Sequence, residues 1–437
     1  MSTILCNVAR LYDGTSAEPR ALHAGVDVAI ERGRIAAIAP HRAETLRAPG
    51  SVDCSGRFVT PGLIDCHGHV TILGLRTGDI ERMNGPSAAL WVEKVLHTTL
   101  VDGGVTTLRD VGGATHWMKR AVEEGVLLGP RLKISVCMLS TTGGHADFRG
   151  PDRCHAELSR LWPPAPGRPS SLVDGPWECR KRVRELAACG ADLIKVCASP
   201  GVASPGDKLE HREFTPEELA ALCDEAGARG LRVAAHAHSA SGIELALRHG
   251  VHDLQHISFL DARLVDLAHE LGATVTPTSW TLAELTRAKG LPPQVMAKVA
   301  QVNEHHARAV QQALAGELPI LMGTDAVWPG MHGRNWMELV HLVRDGLPPL
   351  RAWYGATGLA AREIGAEGTG TLVPGQRADL LIAGADVLAD PGAFERGALL
   401  EVLQDGLGHR GLAGVPQRTF RSASQRALEE LFAEPGP

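Results

Sequence analysis

The sequence predicts an α/β fold in which a (βα)8 TIM barrel carries a small β-sandwich built from both termini. From about residue 62 onward, apolar runs rich in β-branched residues alternate with amphipathic helical stretches, and parallel strands require such crossover helices. Short strand-like runs joined by glycine turns precede this region and return near residue 366. The 437 residues are enough for a barrel of about 250 residues and an attached smaller domain.

The N-terminal segment predicts short β-strands connected by tight turns. The stretches ILCNVARLYDG, GVDVAIERGRIAAIAP and SVDCSGRFVTPG follow one another with hairpin spacing. The dipeptides Asp13-Gly14 and Arg32-Gly33 are typical turn sequences. Because GTGTLVPGQRADLLIAGAD and LLEVLQDG repeat this style near the other end, we expect the two termini to pair into one sandwich.

Eight apolar runs predict the parallel strands of the barrel. They are Leu63–Cys66, Val105–Asp110, Leu132–Met138, Asp192–Val196, Arg232–Ala235, His252–Gln255, Thr274–Thr278 and Ile320–Thr324. The helices between them have recognisable ends. Thr215, Pro216 and Glu218 form a capping-box pattern, and that helix stops near Gly230. Two further helices are expected at 239–249 and 261–271, each ending before a glycine.

The domain division follows from where these patterns change. The expected units are 1–57 for the first part of the sandwich, 58–365 for the barrel, 366–415 for the second part and 416–437 for a tail. Residues 146–177 are rich in Pro, Gly, Ser and Arg and follow the third strand. Loops at that end of a barrel line the active site, so this connection is either a surface insertion or a substrate-facing loop.

Composition excludes several classes of protein. The net charge is −6, no Lys/Arg run occurs and aromatic residues make up 4%, which argues against nucleic acid as a partner. The nine cysteines form no C-x-x-C pair, which indicates reduced thiols and a cytoplasmic protein. No stretch approaches 18 apolar residues and no signal-peptide pattern opens the chain, so neither membrane spanning nor secretion is expected.

Residues of metal-ligand type stand at the ends of the predicted strands. The first strand runs into His67 and His69, whose i, i+2 spacing turns both side chains to one side of an extended chain. Further ligand-type residues end strands four, five, six and eight, and all these ends meet at one face of a barrel. They are Lys195, His236, His256 and Asp325.

Each of these residues has a simpler explanation when taken alone. A single histidine at a strand end is often a hydrogen-bonded pocket residue, Lys195 can reach solvent, and Gly-Thr-Asp at 323–325 can cap a helix. Their joint occurrence in barrel order favours a metal site, for which imidazole and carboxylate suit Zn above all, and also Mn, Fe, Co or Ni. A pocket lysine can lose its proton, and a neutral amine can add CO2 to form a carbamate that bridges two metals.

This constellation resembles the amidohydrolase superfamily, along essentially the whole chain to about residue 410. The matching motifs are VTPGLIDCHGHV, GVTTLRDVGG, TGGHAD, GADLIKV, VAAHAHS, GTDA, HGRNWMEL and GTLVPGQRADLLI. It is most similar to the branch of imidazolonepropionase-related proteins and prolidase-like dipeptidases, which includes hydrolases of ochratoxin, molinate and phenylureas. The resemblance implies two divalent metals, one held by His67, His69 and Asp325 and the other by His236 and His256, with carboxylated Lys195 between them.

The resemblance also implies roles in catalysis. Water activated by the two metals would attack a carbonyl carbon, while Asp325 moves the proton to the leaving amine. His145, in the GGH motif, would stabilise the oxyanion or bind substrate, and His238 matches a substrate-binding position. Arg149 and Arg334 are candidates to pair with a substrate carboxylate, although both can equally be surface residues. Gln255 departs from the pattern, because an acidic residue often precedes the histidine of strand six.

The predicted function is hydrolysis of a C–N amide-type bond in an N-acyl amino acid, a dipeptide or a carboxamide such as an ochratoxin-like molecule. Carbamate, urea and cyclic-amide hydrolysis are the alternatives. A deaminase is disfavoured because Lys195 is present and no His-x-x-Glu follows strand five. A phosphotriesterase-like enzyme fits the two-ended sandwich poorly, and a non-enzymatic scaffold would have lost ligands. The expected partners are a small-molecule amide and further copies of this chain, from dimer to octamer.

Overall fold

The computed structural model describes residues 2–74, 86–147, 167–202, 208–328 and 330–418. The strands are β1 (Ser2–Val8), β2 (Arg10–Tyr12), β3 (Leu22–His23), β4 (Val26–Glu31), β5 (Arg34–Pro40), β6 (Ser51–Asp53), β7 (Phe58–Pro61), β8 (Leu63–Gly68), β9 (Val105–Asp110), β10 (Arg131–Ile134), β11 (Met138–Leu139), β12 (Leu193–Cys197), β13 (Arg232–Ala237), β14 (Asp253–His256), β15 (Thr274–Thr276), β16 (Leu380–Ala383), β17 (Leu399–Gln404) and β18 (Leu407–Gly408).

The helices are α1 (Pro86–Val101), α2 (His116–Glu123), α3 (Pro176–Ala188), α4 (Pro216–Gly227), α5 (Ala240–Arg248), α6 (Ala262–Glu270), α7 (Ser279–Arg287), α8 (Pro293–Ala315), α9 (Met337–Arg344), α10 (Pro349–Gly355) and α11 (Gly358–Glu363). Short 3-10 turns occur at Pro19–Ala21, Ala43–Arg47 and Pro391–Arg396. The predicted α/β class is therefore confirmed.

Strands from the two ends of the chain share one sheet. Its order is β18-β17-β16-β7-β2-β3, and Ile382 of β16 pairs antiparallel with Val59 of β7. A second sheet, β5-β4-β1-β6, comes from the N-terminal segment alone. Apolar side chains of both sheets, among them Leu5, Val28 and Leu380, form one buried cluster, and burial of this apolar surface stabilises their association.

The strands that position the candidate site are parallel and follow one another in chain order. One sheet is β10-β9-β8 and the other runs β11-β12-β13-β14-β15, with every neighbouring pair parallel. Residues 320–326 lie between the two sheets, because Ile320 bridges Val275 of β15 and the Met322 carbonyl accepts from Cys66 of β8. The carboxyl ends of the strands consequently lie at one edge.

Two of the predicted strands are interrupted by the backbone. The run Leu132–Met138 divides into β10 and β11 because Val136 has a positive φ of 68°. The run Thr274–Thr278 ends at Thr276, since Pro277 follows and Thr278 has φ 57°. Positive φ is disfavoured for residues with a β-branched side chain, so neither interruption is predictable from apolar patterning.

The helix ends agree better with the sequence. Thr215 accepts from the Glu218 amide while the Glu218 carboxylate accepts from the Thr215 amide, as the capping-box pattern predicts. Asp261 and Ser239 cap α6 and α5 with a single side-chain hydrogen bond each, accepted from the amides of Leu264 and Gly242. Caps depend on residues within one turn of the helix, and local sequence therefore predicts them well.

None of the described cysteines takes part in a disulfide bond. Over the described stretches, no helix combines the length and the apolar character needed to cross a membrane.

Candidate metal centre

One cavity at the carboxyl edge of the parallel strands collects the predicted ligands. We call it the histidine cavity, and its polar lining comprises His67, His69, His145, Lys195, His236, His238, Ser258, His256, Thr278, Thr281, His306 and Asp325. All six predicted metal ligands lie in it, and so do His145 and His238. The convergence follows from parallel strands whose ends meet at one edge.

His67, His69 and Asp325 form the first half of the centre. The Nε2 atoms of His67 and His69 lie 3.4 Å and 3.3 Å from Asp325 Oδ1. The Asp325 amide donates to the His67 carbonyl at 2.7 Å, so the end of β8 and the last parallel segment are held together. Three donor atoms on adjacent segments thus point to one location.

Buried Asp65 holds this half in place, and sequence reasoning missed it. Its Oδ1 accepts from the amides of His67 and Thr324, each at 3.0 Å. Its Oδ2 accepts from the Thr324 hydroxyl at 2.6 Å and from the Asn335 side-chain amide at 2.8 Å. The only signal in the sequence was a carboxylate two residues before His67 in an otherwise apolar strand.

The second half is a cluster of three imidazoles. Nitrogen atoms of His236, His238 and His256 all lie within 4.8 Å of one another, and those of His67 and His256 are equally close to an Asp325 oxygen. His256 therefore stands between the two halves. His238, which the sequence assigned to substrate binding, also lies within reach of the second cation position.

Hydrogen bonds at the rear of the rings set their orientation. His69 Nδ1 lies 2.9 Å from the Gly112 carbonyl, and His256 Nδ1 lies 2.8 Å from the Thr278 hydroxyl. An imidazole whose Nδ1 is hydrogen-bonded in this way presents Nε2 to a metal, and such partners are usual behind metal-binding histidines. Gly112 and Thr278 therefore help to orient the ligand histidines, a role that the sequence did not predict for them.

Several residues at this edge have a left-handed backbone. The φ angles of His256, Ile257, Thr278 and Asp325 are 73°, 54°, 57° and 50°. Such angles cost of order 1–3 kcal/mol for residues other than glycine, and they concentrate at functional sites. Here they turn the chain as it leaves three successive strands, and they direct ligand side chains into the cavity.

Lys195 is the most unusual group of the cavity. Its side chain is 1% exposed, and no hydrogen-bond partner of Nζ occurs among the described residues. Burial lowers the pKa of Lys195 to about 8, so a substantial fraction of the amine is neutral near physiological pH. A buried amine without a partner matches a position at which CO2 is added and a metal pair is bridged.

The histidines around Asp325 determine its charge, and burial determines theirs. Burial alone would raise the pKa of Asp325, but the charges and hydrogen bonds of His67 and His69 outweigh it and hold the pKa well below its ordinary value. Burial, reinforced by the Lys195 charge, lowers the pKa of His67 to about 3. Burial likewise lowers the pKa values of His236 and His256. His69 differs, because burial lowers its pKa but the hydrogen bond and charge of Asp325 outweigh burial and raise it. Imidazoles beside an ionised carboxylate are a donor set that fits divalent cations.

His145 lies on the rim of the cavity. Its ring stacks on that of His236 with centroids 4.3 Å apart, and its amide donates to Glu213 Oε1 at 2.6 Å. Gly201 makes room for the ring, because a Cβ at that position would lie 2.0 Å from a ring carbon. Glu213 and Gly201 are thus positioning elements that the sequence did not reveal.

Two arginines, Arg149 and Arg334, were predicted to bind a substrate carboxylate, and the structure describes only Arg334. Arg334 is not among the residues that line the histidine cavity; it makes an ion pair with Glu395 at 2.6 Å on the surface. Its substrate-binding role stays a prediction that this position does not favour. Arg149 lies outside the described residues, as does most of the 146–177 connection.

The wall facing the ligands is apolar. It is lined by Ile72, Met138, Val202, Pro277, Leu282, Leu285, Val327 and Trp328. Two of these side chains, Leu282 and Leu285, belong to α7, and they pack on Val299 and Val302 of α8. The cavity therefore joins a polar floor to an apolar wall.

Comparison with known proteins agrees with this architecture. A model of the amidohydrolase family matches residues 58–403. Ochratoxinase from Aspergillus niger is 32% identical over 305 residues, which cover 68% of this chain and 63% of the ochratoxinase, so the match spans less than two thirds of that relative. Imidazolonepropionase from Cereibacter sphaeroides is 28% identical over 397 residues, with 86% and 91% covered.

Solved structures are similar over nearly the whole chain. A prolidase complexed with n-methylphosphonate-l-proline is 31% identical, with a TM-score of 0.83, and the match covers 94% of this chain and 100% of the other. The similar structures have the amidohydrolase fold, which is of the TIM-barrel type.

Proposed function

We propose, since the chain belongs to the amidohydrolase family, that it is a binuclear metal-dependent hydrolase of small-molecule C–N amide-type bonds. One observation carries the proposal. Four ligand-type imidazoles, an ionised carboxylate and a buried lysine amine with no hydrogen-bond partner in the described part of the chain line a single cavity. A buried cationic group without compensation is costly, so a lysine in this position is best explained by modification and metal binding.

The described residues divide naturally into two ligand sets. His67, His69 and Asp325 would hold one cation, and His236 and His256 the other, with carboxylated Lys195 between them. Zinc suits this mixture of imidazole and carboxylate best, and Mn, Fe, Co or Ni are also compatible. When bound, the cations would supply Lewis acidity, which polarises a carbonyl and acidifies water.

Asp325 and His145 provide the proton transfer and the oxyanion contact. Asp325 is ionised over the neutral range, so it can take the proton of the attacking water and deliver it to the departing amine nitrogen. The amine must leave as a neutral group, which makes this delivery necessary. His145 on the rim would donate a hydrogen bond to the carbonyl oxygen as negative charge develops there.

The apolar wall favours a substrate with an apolar group beside the scissile amide. Dipeptides, N-acyl amino acids and aryl carboxamides have this character, and two of the similar proteins are named for ochratoxin and for Xaa-Pro substrates. Burial of such a group against Leu282, Leu285 and Trp328 would contribute binding energy in proportion to the apolar area removed from water. We place this substrate class ahead of carbamates, ureas and lactams.

The proposal includes a closed barrel of eight parallel segments, the sandwich of both termini, and assembly into a homo-oligomer. Light scattering of the purified protein would measure the oligomer size.

Metal analysis with a hydrolysis screen tests the function. Protein loaded with Zn and CO2 should contain two metal equivalents per chain and release amine from dipeptides or N-acyl amino acids. One equivalent with release of ammonia would indicate a deaminase instead. No metal and no hydrolysis of any amide, carbamate, urea or lactam would refute the proposal.

A further inference from the structure

The motif HGRNWMEL (332–339), which follows the last parallel segment, contacts both sides of the histidine cavity. Asn335 and Glu338 belong to it, and they are 2% and 0% exposed. The Asn335 side chain reaches the ligand side, whereas the Glu338 side chain reaches the beginning of α7. Neither residue is part of the cavity lining. Any influence that they have on the site must therefore pass through the groups that they hold.

Glu338 accepts hydrogen bonds from the first amides of α7. Its Oε1 accepts from the Ser279 amide at 2.9 Å, and its Oε2 accepts from the Trp280 amide at 2.8 Å. The first amides of a helix have no partner within the helix itself, and a buried amide that is left without one is costly. Glu338 therefore supplies from α9 the hydrogen-bond acceptors that the first turn of α7 needs.

The residue before α7 does not provide this cap, because its side chain is used elsewhere. Among the described residues, Thr278 makes no side-chain hydrogen bond to the amides of α7. Its hydroxyl lies 2.8 Å from His256 Nδ1 and donates to the Pro277 carbonyl at 2.6 Å. Threonine at this position usually caps the helix that it precedes. The carboxyl group of Glu338 replaces this local cap, while Thr278 stays beside His256.

The anchored helix carries the apolar wall of the cavity. Leu282 and Leu285 of α7 line it, and they follow the anchored amides within about two turns. Apolar packing against α8 tolerates repacking, whereas two directional hydrogen bonds to a buried carboxyl group fix the end of the helix. The placement of Leu282 and Leu285 against a substrate therefore depends on Glu338.

Asn335 provides a contrast, because its contacts lead to the other side of the cavity. Its side-chain amide donates to Asp65 Oδ2 at 2.8 Å, and Asp65 accepts from the amides of His67 and Thr324. Asn335 is buried like Glu338 and belongs to the same segment. If both residues served only the stability of the fold, their loss would have similar effects on the cavity.

We propose that Glu338 is a positioning residue that determines substrate selectivity, because it anchors α7, and with it the apolar wall, to α9. The inference rests on the proposed hydrolase function for its kinetic consequence. The anchoring itself is a property of the folded chain and can be measured without a substrate.

Amide hydrogen exchange of the Zn-loaded protein, followed by mass spectrometry, tests the anchor. Glu338→Gln keeps the size of the side chain but replaces one accepting oxygen with an NH2 group. We expect the amides of residues 279–287 to exchange about tenfold faster, because a hydrogen bond at the start of the helix is lost. Residues 63–68 should exchange as in wild type. Asn335→Leu should give the reverse pattern.

Kinetics test the selectivity, with the dipeptides Phe-Pro and Ala-Pro as probes, since one similar structure is named as an Xaa-Pro dipeptidase. Glu338→Gln should raise KM about tenfold for Phe-Pro, whose large apolar group needs the wall. KM for Ala-Pro, kcat and the metal content should stay nearly unchanged. Asn335→Leu should instead weaken metal binding about tenfold and change the two KM values in equal proportion.

Leu342→Ala controls for packing in α9. Leu342 is buried one turn beyond Glu338, and its truncation should lower the free energy of unfolding without changing exchange in α7 or the ratio of the two KM values. If Glu338→Gln does not fold, Glu338→Asp takes its place with the same expectation, because its shorter side chain withdraws the oxygens from the amides.

The failure of the proposed function and the failure of this inference are distinguishable. If wild type hydrolyses neither dipeptide, the proposed function fails for these substrates, and the exchange pattern alone decides whether Glu338 anchors α7. Unchanged exchange of α7 in Glu338→Gln, loss of metal from that variant, or an equal rise of both KM values would overturn the proposal.

Discussion

The two sides of the histidine cavity are built differently. On the ligand side, His67, His256 and Asp325 leave strand ends whose backbone is held by sheet hydrogen bonds and by buried Asp65. On the facing side, Leu282 and Leu285 of α7 are held by apolar packing against α8. Hydrogen-bonded strand ends fix atoms within tenths of an ångström, whereas apolar contacts tolerate repacking. The ligand side and the apolar side of this cavity can therefore change independently, the first affecting chemistry and the second substrate choice.

Asp325→Asn should have the largest effect, because it removes both a ligand and the proposed proton carrier. We expect turnover to fall by roughly 10⁴-fold, the upper range for a positioned acid–base group, with loss of metal. Turnover and metal content per chain measure this. Asp261→Asn, a helix cap outside the cavity, is the control and should keep both values; a normal metal content with normal turnover in Asp325→Asn would contradict the ligand assignment.

His145→Ala should damage catalysis while leaving the ligand side intact. Loss of one oxyanion donor costs about 10²–10³-fold in turnover, and His145 is not one of the proposed ligands. We therefore expect two metal equivalents and a much lower kcat. His305→Ala, an exposed histidine on α8, controls for histidine loss. Near-normal turnover in His145→Ala would remove this residue from the mechanism.

In the metal-free protein, the free energy of unfolding should depend on pH because the Lys195 amine is buried. The pKa of Lys195 is about 8 in the folded chain and near 10.4 when unfolded. Between these values the unfolded chain binds more protons, so the free energy of unfolding should rise as pH increases from about 8 to 10.

A shift of this size corresponds to about 3 kcal/mol. Denaturant unfolding of the metal-free protein at several pH values measures it. Lys195→Met has an apolar side chain of similar length and should lose this part of the pH dependence. Parallel pH profiles for the two proteins would show that the buried amine is not destabilising.

Leu285→Ala tests the facing side and should have the smallest catalytic effect. We expect KM for substrates with a large apolar group to rise about tenfold, with kcat nearly unchanged, because a pocket contact is lost equally in the ground and transition states. Leu264→Ala, a buried residue of α6 outside the cavity, is the control for the accompanying loss of stability. A fall in kcat without a change in KM would mean that α7 supports the ligand side.

The sequence by itself determined the α/β class, the helix caps and the side chains at the carboxyl ends of the strands. His67, His69, Lys195, His236, His256 and Asp325 were identified because the order of elements along the chain dictates which ends of parallel strands meet. The caps at Thr215 and Asp261 were equally accessible, because a cap depends on residues one turn away.

Tertiary structure decided how those side chains are held and what faces them. Asp65 spans from β8 to Thr324 and Asn335, and His306 reaches the cavity from α8, so both act over distances that no local pattern encodes. Arg334 follows the last parallel segment yet turns to Glu395, because a loop residue's direction depends on its neighbours in space. The chemistry of the donors is a property of residue type, whereas orientation, proton position and burial arise only when distant segments pack together.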